Sequence, residues 1–144
     1  MNPDSSDRSS IITKWQSWGP EFLAILRIVV ALLFISIGMM KLFGWPLSMP
    51  GGGTVQLFSL IGLAGVLETF GGLLILLGLF TRPVAFILAG EMAFAYFMGH
   101  SSLAHWWPVV NNGQPAVLYC FIFLYMSAVG AGAWSLDRLW RKKN

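Results

Sequence analysis

Arg27, Lys41, Glu68 and Glu91 are ionisable residues set inside long apolar runs of the chain. Acids and bases held in apolar surroundings can exchange protons or hydrogen-bond a carbonyl or anionic oxygen. A charge near the middle of a bilayer costs on the order of 2.5 to 3.5 kcal/mol even on a lenient insertion scale. The side chains are therefore expected to face the inside of a helix bundle and to answer one another. Read as a helix at about 100° per residue, Arg27, Ala31, Phe34, Gly38 and Lys41 share one stripe of the run from Glu21 to Lys41. Counting about 1.5 Å per residue from the cytoplasmic ends puts Arg27 roughly 10 Å deep, Glu91 roughly 12 Å and Glu68 roughly 18 Å. That depth match predicts Arg27 paired with Glu68 or Glu91, and Lys41 snorkelling toward the opposite surface. Two acids and one deep base leave a carboxylate over to carry a proton. Glu68 and Glu91 are thus the catalytic candidates, and Arg27, Lys41, Glu68 and Glu91 the ligand-binding set. The alternative is an ion pair that only fixes helix register.

Other chemistry finds less support. His100 and His105 fall in or beside one link between spans, where interfacial hydrogen bonding is the commoner role, so no metal or haem site is expected. Cys120 is the only cysteine, which rules out an intramolecular disulfide and a Cys-x-x-Cys redox pair. Met39, Met40, Met92, Met98 and Met126 are scattered as packing residues. No phosphate-cradling loop, Ser-His-Asp arrangement or dinucleotide fingerprint is present. No intrinsic cofactor is expected.

The elements that must position the charges follow from composition. With 144 residues, 56% hydrophobic and only 10% charged, the chain reads as a polytopic membrane protein, not a soluble domain. About 20 helical residues cross a hydrocarbon core. Four runs approach that length: residues 20–43, 55–80, 83–99 and 115–134. The fold expected is an all-α four-helix transmembrane bundle over residues 20–136. A tail of residues 1–19 precedes it, polar and disordered at first, then amphipathic from Ile11 to Trp18, where the segment lies in the interface. Residues 137–144 form a basic tail. Arg8, Lys14, Arg82 and the Arg138, Arg141, Lys142 and Lys143 group alternate with two links that hold neither Lys nor Arg, which predicts both termini in the cytoplasm. Trp15, Trp18, Trp45, Trp106, Trp107, Trp134 and Trp140 all sit at or beyond span ends, as interfacial rings should. The basic tail reads as a topology signal drawn to lipid headgroups, and nucleic acid is not expected as a partner. Gly65, Glu68 and Gly72 share a small-residue face suited to close helix contact.

The pattern Arg27, Phe34, Gly38, Lys41, Leu42, the run from Glu68-Thr-Phe-Gly71-Gly72 to Gly78-Leu-Phe-Thr81-Arg82, and Ser135-Leu136-Asp137 together resemble the DoxX family of small four-helix membrane proteins, over about Leu26 to Leu139. Ala31 stands where a glycine is common and Trp134 where a tyrosine is common; neither touches the charged set. The resemblance implies a bacterial inner-membrane protein associated with quinone-linked oxidoreductases or with oxidative-stress assemblies. The reading that follows is a small subunit with an intramembrane Arg/Glu pocket for a quinone-like molecule, and with redox-enzyme partner subunits. A non-catalytic scaffold is the second reading and a small-solute carrier the third; homo-oligomerisation stays open.

Overall fold

A computed structural model describes residues 12–48, 54–102 and 105–141. The serine-rich start and the end of the basic tail, Lys142 and Lys143, lie outside them. The described residues are helical or irregular, with no strand among them. A short helix α1, residues 12–17, leads into α2, Gly19–Phe43. Next come α3, Leu60–Leu77, then α4, Thr81–Ala95, extended by a wider turn over Tyr96–His100. Helix α5, Gln114–Val129, and a short α6, Leu136–Arg141, complete the order.

Helices α2 and α3 are each long and apolar enough to cross a bilayer. Both end on glycines in the left-handed region, Gly44 at φ 64° and Gly78 at φ 65°, where a Cβ would be strained. At Gly78 the amides of Gly78 and Leu79 return to the carbonyls of Ile75 and Leu74, so the helix stops three residues short of the span expected to reach 80. Helix α5 also stops early. It was expected to run to 134, but Gly130 at φ 90° and Gly132 at φ 72° break it after Val129. The chain then crosses the ends of the other helices as an irregular strap.

The helices pack as two hairpins, α2 along α3 and α4 along α5. Between them lies a core of Val30, Ala31 and Phe34 with Ile75, Leu88, Met92, Phe123 and Met126. Phe34 meets Phe123 edge-on at a centroid separation of 4.8 Å and Tyr119 at 5.2 Å, a geometry suited to the ring quadrupoles. The buried positions of α2 are Ala24, Arg27, Val30, Ala31, Phe34 and Gly38. The cationic stripe therefore does look inward, while Leu32 and Leu33 on the far side are exposed.

Gly38 permits the closest approach in the first hairpin. A Cβ there would lie 2.7 Å from the Thr69 amide nitrogen and 2.8 Å from the Gly65 carbonyl oxygen, both backbone atoms that cannot turn away. Gly38→Ala is expected to cost about 1 to 3 kcal/mol through this overlap. Thermal unfolding in mild detergent checks it; an unchanged midpoint would mean that the two helices are not held at this distance.

Candidate functional site

The charged residues form two groups at opposite ends of the bundle. At one end Arg27 is fully buried. Its Nε donates to the Ala131 carbonyl at 3.0 Å, Nη1 to Ile75 at 2.6 Å and Leu76 at 2.5 Å, and Nη2 to Trp134 at 3.0 Å. Each of these acceptors has a reason to need a donor. The last carbonyls of a helix have no intrahelical partner, and a cation there also complements the helix dipole. The strap after Val129 likewise carries backbone groups that no helix satisfies, which apolar surroundings penalise. A planar guanidinium with five N–H groups can reach all of these at once.

Asp137 completes that end. Its Oδ1 accepts from the Phe80 amide at 2.8 Å and its Oδ2 from Thr81 at 2.9 Å, while its own amide donates to the Gly78 carbonyl at 2.9 Å. It thus caps the start of α4 from outside that helix, where a carboxylate suits the positive end of the dipole. The Ala133 amide donates to the Pro20 carbonyl at 2.9 Å. Arg27, Asp137 and the strap together tie the ends of α2, α3, α4 and α5.

At the other end Lys41 Nζ lies 2.6 Å from Glu68 Oε1, with side-chain exposures of 17% and 2%. Glu68 and Thr69 belong to a π-helical turn, Leu67–Gly71, set inside α3. Such turns are wider than an α-turn and are often found at functional positions. Thr69 Oγ1 donates to the Gly65 carbonyl at 2.8 Å. Glu68 Oε2 and both carboxyl oxygens of Glu91 are buried and have no hydrogen-bond partner among the described residues. The charges of Glu68 and Lys41 both reach Glu91, and that of Glu68 reaches the Tyr119 phenol. Lys41, Glu68 and Glu91 thus act on one another electrostatically from α2, α3 and α4.

A DoxX family model matches residues 22–101, more than half of the chain and all four charged candidates. The chain belongs to the DoxX family. An uncharacterized protein of Haemophilus influenzae is 45% identical over 130 residues, which span 89% of this chain and 97% of that one. The Escherichia coli K12 inner membrane protein YphA is 34% identical, over 83% of this chain and 90% of its own length. YqjF, also an E. coli K12 inner membrane protein, is 32% identical, over 83% and 92%. No solved structure matches. This DoxX protein is accordingly a multi-pass protein of the bacterial inner membrane.

The geometry corrects the pairing expected from depth. Arg27 does not meet Glu68 or Glu91; Lys41 meets Glu68 and does not snorkel outward. Depth was counted on backbone positions, whereas helical side chains lean toward their own N-terminus. In α2 that lean carries Arg27 away from Glu68 and carries Lys41 back into the bundle. Helix α3 runs the other way, so Glu68 leans toward Lys41. The Arg27 donors are spent on carbonyls, and none is directed at Glu68 or Glu91. His100 and His105 stay in the link before α5, where His100 Nδ1 lies 3.1 Å from the Asn111 carbonyl and the His105 carbonyl accepts from Asn111 Nδ2 at 2.9 Å. Sequence reading missed the capping role of Asp137. The coincidence of Asp137 with the family's closing Ser-Leu-Asp pattern was the available signal for it.

Proposed function

We propose that this DoxX protein is a small four-span subunit of a quinone-linked redox or oxidative-stress assembly, with both termini in the cytoplasm. In it the Lys41, Glu68 and Glu91 cluster receives a quinone-like molecule and exchanges a proton with it. The observation that carries the reading is the set of buried oxygens on Glu68 and Glu91 that have no hydrogen-bond partner among the described residues, beside Lys41. Buried polar atoms normally have partners, and those that do not point to a proton, a water or a ligand. One lysine cannot balance two carboxylates, so the cluster has a place for one proton. Lys41 is the group suited to a carbonyl or anionic oxygen of the ligand, and Glu91, outside the ion pair, is suited to pass the proton. Electrons come from a partner subunit; this chain positions and protonates. The alternation of basic links that supports the four-span topology is unchanged by the early end of α5, because the strap keeps Arg138 at the end of the bundle where α2 starts and α3 stops.

Purified protein in lipid nanodiscs is expected to bind a short-chain ubiquinone analogue by titration calorimetry. Loss of a hydrogen bond to a charged group in Glu91→Gln weakens that binding by roughly ten-fold, the equivalent of about 1.4 kcal/mol. Wild-type protein that takes up no quinone sinks the proposal.

One observation favours a scaffold as the second reading. Arg27 is spent wholly on backbone groups at the helix ends, and Lys41 and Glu68 close on each other. A scaffold keeps its partner bound when Glu91 is replaced by Gln, as co-purification in mild detergent would report. A solute carrier ranks third, since the paired Glu68 is 1% exposed and offers no open path.

A further inference from the structure

Three hollows of about 470, 470 and 530 Å³ adjoin one another around the end of the bundle where α1, α2 and the strap meet. The first is lined by Lys14, Trp15, Trp18 and Phe22. It shares Trp18 and Phe22 with the second, which adds Glu21 and Ile25, and the second shares Trp134 with the third, which adds Arg138. The result is one belt whose ionic groups run cation, acid, cation: Lys14, Glu21, Arg138.

Its floor is aromatic. Trp15 stacks on Phe22 at 6.2 Å and 13°, and Trp15, Trp18 and Trp134 remain 65%, 55% and 65% exposed. Rings so placed in an inner-membrane protein sit at headgroup level, with Phe22 and Ile25 leading down toward the acyl region. Glu21 Oε2 is buried and lacks a hydrogen-bond partner among the described residues. Glu21 lines the hollow between those lined by the two exposed cations, a pattern that suits a hydroxyl flanked by two anions.

We propose that this belt binds a diphosphatidylglycerol-type lipid, in which two phosphates are joined through a hydroxyl-bearing glycerol. Lys14 takes one phosphate and Arg138 the other, the Glu21 carboxyl group lining the middle hollow accepts the bridging hydroxyl, and the acyl chains lie over Trp18, Phe22 and Ile25. A lipid with a single phosphate satisfies only one end of the belt, and a zwitterionic one brings an ammonium where the pattern offers cations. The inference rests on the chain's place in the membrane and is independent of the quinone reading.

Native mass spectrometry of the full-length protein, exchanged from nanodiscs containing diphosphatidylglycerol, phosphatidylglycerol or phosphatidylethanolamine, tests it. Diphosphatidylglycerol is expected to be retained roughly five-fold over phosphatidylglycerol, because a second basic contact near the headgroup surface is engaged. Lys14→Gln and Arg138→Gln each abolish that preference, whereas Arg82→Gln, a cation outside the belt, leaves it unchanged. All three side chains are exposed, so folding is preserved. Equal retention of the three lipids overturns the proposal. So does an equal loss with Arg82→Gln, which would mark charge without a site, or displacement by excess inorganic phosphate, which would mark a phosphate site and not a lipid one.

Discussion

Arg27→Ala is expected to destabilise the folded protein by at least about 3 kcal/mol, because each buried carbonyl left without its donor costs on the order of 1 to 3 kcal/mol. Three carbonyls have no other donor among the described residues, Leu76 at the end of α3 and Ala131 and Trp134 in the strap, while the Ile75 carbonyl keeps the Gly78 amide. The change also removes a buried cation that complements a helix C-terminus. Arg27→Lys keeps the charge but replaces a flat fork with a point donor on a shorter reach, and so recovers less than half of the loss. Unfolding midpoints in detergent, with abundance in the membrane as a second readout, measure both. The fraction that does fold should bind a quinone analogue with unchanged affinity. A stable Arg27→Ala protein that has lost ligand binding would return Arg27 to the ligand site and overturn its assignment as a clasp.

Lys41→Met is the second large effect, expected to cost about 3 kcal/mol, at the low end for breaking a buried ion pair because the lysine is not fully enclosed. The lysine is replaced by a side chain of similar length, so the loss comes from stranding Glu68, which is 1% exposed. Adding Glu68→Leu should restore most of the stability, since two well-packed apolar residues often serve as well as a buried pair. That double variant also divides the two functional readings. If it is stable but binds no quinone analogue, the ions are kept for chemistry. If it is stable and still supports partner association and redox activity, the pair is a register device and the protein a scaffold.

Much of the site was legible in the chain itself. The stripe from Arg27 to Gly38 is the buried face of α2, because an amphipathic pattern at helical spacing has only one way to avoid placing a guanidinium in acyl chains. Gly65 and Gly72 do line the contact with α2: a Cβ at Gly72 would meet Ile35 at 2.7 Å, and one at Gly65 would meet Leu42 at 3.1 Å. The ends of helices were less legible. A run of apolar residues through Ala131 and Ala133 reads as helix, and the positive φ of Gly130 and Gly132 arises where the strap leaves α5, with Gly132 turning against Pro20 and Ala24.

The identity of the ionic partners lay beyond any count along the chain. Composition, periodicity and motif were enough to establish an apolar helical protein of the DoxX family with its cations and acids turned inward, since those properties depend on spacing within one segment. Which cation meets which acid depends on three-dimensional direction: helices of opposite polarity lean their side chains toward opposite ends. Only the assembled bundle therefore decided that Lys41 answers Glu68, that Arg27 closes the backbone at the far end, and that the oxygens of Glu91 are left over.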